Sequence, residues 1–112
     1  MWNFGIPYRL KHFIDVILQP GYLFRYTANG PEGLVESKKM TVITSRGGDY
    51  GGASPLKPYD LQEPYIRAVF GFVGIADMTF VDARPMDAMG PAVRDQKTEE
   101  ARKIAGETAG KF

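Results

Sequence analysis

Lys39 to Thr44 (Lys-Met-Thr-Val-Ile-Thr) is a β-branched run without strict alternation, the pattern of a strand buried on both faces of a parallel sheet. It leads straight into Ser45-Arg46-Gly47-Gly48 and then a glycine- and proline-bearing loop reaching about Glu63, longer than most connections in compact domains. Pro64 opens a helix in which Tyr65, Ile66, Ala68, Val69, Phe70, Phe72 and Val73 are apolar nearly all round, and Gly74 closes it. Such a helix is expected to be deeply buried. Met78 to Ala83 reads as a second strand, and Pro91 starts a polar helix that fades around Gly106 to Gly110. Strand, loop, helix, strand, helix is the order of right-handed parallel crossovers in a doubly wound α/β sheet.

Upstream, Pro7 opens a helix with an apolar stripe at Leu10, Phe13, Ile14, Ile17 and Leu18, and Pro20-Gly21 ends it. Lys11, His12, Asp15 and Gln19 lie on its opposite face, which places the one histidine in solvent. Tyr22 to Thr27 is an extended aromatic segment, and Asn29-Gly30-Pro31-Glu32-Gly33 reads as a turn-rich loop. One domain suits 112 residues. Fourteen basic against thirteen acidic side chains leave a net charge of +1, which provides no field for nucleic acid or an anionic membrane surface. With no cysteine and a single histidine, thiolate metal sites, cysteine nucleophiles and serine–histidine relays are disfavoured, and no metal site is expected. No apolar run has the length of a membrane helix, and a cytoplasmic location is the expectation.

In open parallel sheets, ligands lie beyond the carboxyl ends of the strands. Two segments have that position. In Ser45-Arg46-Gly47-Gly48, paired glycines allow close backbone approach and offer N–H donors, although a strand followed by glycines is also an ordinary turn. Met1-Trp2-Asn3-Phe4 brings aromatic faces and an amide to the mouth of the first helix, although Trp2 and Phe4 also read as packing residues. Together they suit a flat heteroaromatic ligand.

The stretches Met1-Trp2-Asn3-Phe4-Gly5-Ile6-Pro7-Tyr8-Arg9-Leu10-Lys11, Phe24-Arg25-Tyr26-Thr27, Gly30-Pro31-Glu32-Gly33-Leu34, Ser45-Arg46-Gly47-Gly48 and Gly71-Phe72-Val73-Gly74-Ile75 resemble the FMN-dependent NADH-azoreductases, flavodoxin-like quinone and azo reductases. The resemblance matches the C-terminal half of such an enzyme. It implies that residues 1–112 hold the end of the third strand, at Met1 to Asn3, with the fourth and fifth strands and their helices. The N-terminal half, with its phosphate-binding loop, is expected to be absent. It implies that Met1, Trp2, Asn3 and Phe4 line the flavin ring, that Ser45, Arg46, Gly47 and Gly48 meet its pyrimidine end, and that Tyr26 lies on the substrate side, although Tyr26 reads equally as a packing contact. Gly47 and Gly48 are expected to need close approach or a positive φ. The implied chemistry passes a hydride from NADH or NADPH to FMN and electrons on to a quinone or azo compound, without a protein nucleophile, in a homodimer. Trp2 replaces a tyrosine frequent in that family. The alternative is a truncated α/β fragment or interaction module that binds no cofactor, and stand-alone activity is not expected of 112 residues.

Overall fold

A computed structural model describes residues 1–112 in the order α1 (Tyr8–Ile17), β1 (Phe24–Thr27), β2 (Gly30–Gly33), β3 (Lys39–Ser45), a 3-10 turn (Lys57–Tyr59), α2 (Gln62–Phe72), β4 (Asp77–Ala83) and α3 (Pro91–Ala109). The strands form two separate pairs, β1 with β2 and β3 with β4. The chain divides into two compact units. One comprises Met1, Thr41–Asp60 and Thr79–Phe112, the other Trp2–Met40 and Leu61–Met78.

In the unit built from Trp2–Met40 and Leu61–Met78, α1 begins where expected. Pro7 is extended at φ −60° and ψ 145°, and its carbonyl accepts the Lys11 N–H at 3.0 Å. Proline suits that boundary because it has no N–H to leave unpaired. Beyond the helix Gly21 takes φ 85°, and His12 is exposed as predicted. Of the predicted stripe only Ile14 is buried, whereas Phe13 stays more than half exposed. The stripe has the right period but is not covered along its length.

The segment Gly30-Pro31-Glu32-Gly33 is a strand rather than part of a loop. It pairs antiparallel with β1 in the register Phe24↔Gly33 to Thr27↔Gly30, which confines the turn to Ala28-Asn29. Its last glycine meets a steric demand: a Cβ on Gly33 would stand 2.3 Å from the Val73 carbonyl carbon. From the other side Gly74, at φ 111°, would place a Cβ 2.5 Å from the Val35 oxygen. Val35 N–H donates to Val73 O at 2.9 Å, so two backbones meet where side chains cannot fit. Nearby, the buried Phe24 ring packs edge-on to Phe72 at 4.9 Å. Within α2 only Gln62 and Ile66 are buried, which corrects the expectation of a helix buried all round.

The other unit holds most of the β3–β4 pair, the long loop and α3. Val81 and Thr44 are buried, but Ile43 is 69% exposed; β3 is therefore not covered on both faces. The sheet carries no strand beyond β3 and β4, so one face of Ile43 meets solvent. Residues 1–7 contain no third strand either. Met1 donates its amino group to the Ser45 carbonyl at 2.9 Å, and the chain then turns, with Trp2 and Gly5 forming an isolated antiparallel bridge. Helix α3 starts at Pro91 as expected, after Gly90 at φ 82°. None of its residues is buried, in keeping with its thin apolar face. Near its end, Ala105, Ala109 and Phe112 border a cavity of about 320 Å³ with Thr41 and Ile43.

Candidate functional site

Trp2 to Gly5 is a two-ended turn: the Gly5 N–H donates to Trp2 O at 2.9 Å and the Trp2 N–H to Gly5 O at 3.2 Å. Its central residues Asn3 and Phe4 have φ 44° and 68°. Asparagine tolerates the left-handed region, but a phenylalanine there is strained, and such strain clusters at binding sites. The Phe4 carbonyl accepts the Leu61 N–H at 3.0 Å, which fixes the turn on the start of α2. The conformation leaves Trp2 73% exposed and Phe4 exposed as well. Beside the turn lies a cavity of about 610 Å³ bordered by Trp2, Asn3, Ile6, Pro7, Tyr8, Arg9 and Lys11. That is within the range of small-molecule pockets, roughly 300 to 1,000 Å³.

Two cations border this cavity. The Lys11 ammonium is held by Asp15 at 2.6 Å, and the hydrogen bond to that carboxylate raises its pKa above the ordinary value. Arg9 instead donates from Nε to the Tyr8 hydroxyl at 3.1 Å. Tyr26 does not border the cavity. It stands exposed on β1 with its ring edge-on to Phe24 at 5.5 Å.

The glycine loop is built differently from expectation. Neither Gly47 nor Gly48 has a positive φ; both are hemmed in by side chains. A Cβ on Gly47 would meet the Asp87 carboxylate at 2.8 Å, and one on Gly48 would meet Leu56 at 3.1 Å and Tyr50 at 3.3 Å. The backbone is anchored to the segment after β4. Arg46 N–H donates to Ala83 O, Met86 N–H to Arg46 O, and the Asp87 and Ala88 N–H groups to Gly47 O, all at 2.9 to 3.1 Å.

Arg46 turns its side chain inward, and no part of the guanidinium is exposed. Nη1 donates to Asp60 Oδ2 at 2.5 Å, and Nε lies 3.5 Å from Asp82 Oδ1. Asp82 also accepts the Thr44 hydroxyl at 2.9 Å and pairs with Arg84 Nη1 at 2.6 Å. The Tyr50 ring centroid is 5.9 Å from the Arg46 guanidinium carbon. No sequence pattern marks this cluster, because Asp60 and Asp82 are brought to Arg46 only by the path of the loop and the pairing of the strands.

Of the nine residues singled out from the sequence, Trp2, Asn3 and Phe4 share one turn, and Met1 is bonded to Ser45 at the start of the loop that holds Arg46, Gly47 and Gly48. Tyr26 stands apart on β1. No group of histidine, aspartate and glutamate side chains is arranged to hold a metal ion.

The chain belongs to a family of flavodoxin-like fold, whose family model matches residues 1–108. More narrowly, it is 48% identical over 102 residues to FMN-dependent NADH:quinone oxidoreductase 3 of Pseudomonas aeruginosa, a match spanning 91% of this chain and 46% of that protein. A Pectobacterium atrosepticum FMN-dependent NADH:quinone oxidoreductase is 46% identical, with 91% and 48% of the two chains covered. Among solved structures, an azoreductase from Bacillus anthracis superposes with a TM-score of 0.91 at 30% identity, over 99% of this chain and 52% of that one. An FMN-dependent NADH-azoreductase from Bacillus anthracis, in complex with FMN, gives a TM-score of 0.83 at 31% identity, over 97% and 52%. The chain therefore spans about half the length of the relatives it matches.

Proposed function

We propose that this chain carries the flavin-ring-binding part of an FMN-dependent NADH:quinone oxidoreductase, corresponding to the C-terminal half of its relatives. The observation that carries this reading is the strained Trp2-Asn3-Phe4-Gly5 turn beside a ligand-sized cavity, in a chain 48% identical to an enzyme of that name. The residues fit such a group. Trp2 and Phe4 offer exposed aromatic faces, Asn3 an amide able to donate and accept at a ring edge, and Ser45 to Gly48 a loop backbone whose Arg46 side chain turns inward. When bound, FMN would supply the hydride and electron transfer that no side chain here can perform.

In this reading the chain's own groups bind and orient. Trp2 packs by the ring, Asn3 fixes its edge, and the loop's N–H dipoles stabilise negative charge without having to reorganise. No nucleophile or general base is required of the protein. The acceptor is a quinone or azo compound, with Tyr26 on its side of the site, and the donor is NADH or NADPH.

A homodimer accords with the exposed aromatics Tyr22 and Tyr26, because tyrosines are enriched in interface cores. No helix is long and apolar enough to cross a membrane, and a cysteine-free, NADH-fed reductase suits the cytoplasm. The test is to co-express this chain with the part of the Pseudomonas aeruginosa relative outside the match, then record bound flavin and NADH-dependent quinone reduction. A yellow complex with turnover is expected. A folded but colourless and inactive complex would refute the reading and favour an interaction module without cofactor.

A further inference from the structure

A fully buried arginine in a surface loop calls for a physical reason, since arginine is almost never enclosed unless carboxylates meet it. Arg46 opens the long loop and Asp60 closes it, fourteen residues later. Their contact joins the two ends of that loop. Between them the chain folds on itself: the Asp49 carboxylate accepts the Gly51 N–H, and the Ser54 hydroxyl donates to Asp49 O. The 3-10 turn then delivers Asp60, whose N–H donates to Lys57 O at 3.0 Å. Tyr50 and Leu56, the side chains nearest Gly48, are carried by this same closed loop. Tyr50 is itself buried beside the guanidinium.

We propose that Arg46 and Asp60 are positioning residues, forming a buried latch that closes the loop and holds the Gly47-Gly48 backbone in place for its ligand. This rests on the flavin reading for the identity of the ligand but not for the latch itself. Charge is what suits the pair to the task. A buried ion pair is seldom more stabilising than well-packed apolar side chains of similar volume, but it accepts far fewer arrangements. Asp60 holds Nη1 by a hydrogen bond, Asp82 stands 3.5 Å from Nε as a counter-charge without hydrogen-bonding it, and Thr44 and Arg84 flank Asp82. An apolar replacement would fill the space without selecting one loop conformation. The Arg46 side chain therefore acts on the ligand only through the backbone that it holds.

The proposal is tested by amide hydrogen exchange of Gly47 to Leu56 in the co-expressed complex, which reports local opening separately from global unfolding. Asp60→Asn is expected to speed exchange in that loop at least tenfold while amides of α3 keep their rates, and Asp60→Glu to restore part of the protection. The double replacement Arg46→Met with Asp60→Leu is expected to retain the melting temperature yet leave the loop equally fast to exchange. A purely structural role would not produce that split. Unchanged loop exchange in Asp60→Asn and in the double variant would overturn the latch. In the co-expressed complex, Asp60→Asn is expected to raise the FMN dissociation constant about tenfold. Equal affinity there, with wild-type binding intact, would overturn the positioning role. Failure of the wild-type complex to bind FMN would instead overturn the flavin reading, and the exchange measurement would still decide the latch.

Discussion

Gly33→Ala isolates a purely steric demand, because Gly33 does not have a positive φ and its Cβ would nevertheless stand 2.3 Å from the Val73 carbonyl carbon, with Val73 O and Gly74 N at 2.5 Å. Ordinary contact begins at 3.4 Å, so β2 and the end of α2 must separate by about 1.1 Å, and every atom in the way is backbone. The Val35 N–H to Val73 O bond, now 2.9 Å, would then lengthen beyond hydrogen-bonding range. Overpacking costs about 1 to 3 kcal/mol and a lost hydrogen bond about 1 kcal/mol, for a total of roughly 2 to 4 kcal/mol. For a chain of this size that corresponds to a fall in melting temperature on the order of 10 to 20 °C. The control lies on the same strand. Gly30 has φ 109° with no atom within 4 Å of its Cβ position, so Gly30→Ala incurs only the left-handed backbone penalty, about 1 to 2 kcal/mol. Circular dichroism melts of both variants are the assay. A Gly33→Ala protein melting with the parent, or above Gly30→Ala, would refute the close-approach argument.

Gly106 lies inside α3 with open space at its Cβ position, so Gly106→Ala should stabilise by about 0.5 to 1 kcal/mol, read as a higher melting temperature. The hydrogen bond from Arg25 Nε at 2.8 Å, and then its charge, holds the Glu32 carboxyl below its usual pKa. Protonation therefore favours the unfolded chain: the pair's small contribution is complete above the ordinary glutamate pKa of about 4.3 and is lost as pH falls through the lowered value. Melting curves of the parent and Glu32→Gln should differ near neutral pH, more so at low salt, and converge in acid. Asn3→Ala should weaken FMN retention in the co-expressed complex, and an unchanged dissociation constant would remove Asn3 from the site. Phe4→Gly should relieve a strained φ of 68° and raise the melting temperature while weakening flavin binding, a divergence that simple packing at Phe4 would not produce.

Local punctuation was legible where its cause is local. Proline at the starts of α1 and α3 marks those helix ends through its own backbone chemistry, and both helices start there, whereas α1 stops at Ile17, ahead of Pro20-Gly21, and α2 starts at Gln62, two residues before Pro64. Both β3 and β4 were legible from β-branched runs, with boundaries shifted by one residue. Gly30-Pro31-Glu32-Gly33 misled because turn composition and strand composition coincide when glycine serves close approach. Gly33 is present for the backbone of Val73, a neighbour forty residues away that no local pattern reports. The same limit hid the Arg46–Asp60 pair, whose partners are joined only once the loop has folded.

Burial was the quantity that periodicity most overstated, and the reason is physical. An apolar stripe states which face has to be covered, not what covers it. On α1 the apolar stripe has helical spacing, yet Leu18 lies beyond the helix and Ile14 alone is enclosed. On β3 the β-branched run gives a strand whose Ile43 stays open to solvent. Only six hydrophobic residues are buried in a chain that is 44% hydrophobic. Trp2, Tyr8, Phe13, Tyr22, Tyr26 and Ile43 are all more than half exposed. Scattered single exposures need no explanation, but several large side chains on the same elements mark surfaces made for contact. Together with relatives twice as long, this pattern supports the proposal that the exposed Tyr8, Phe13 and Val16 of α1 are covered by further protein. The flavin-binding assay should therefore be run on the co-expressed complex.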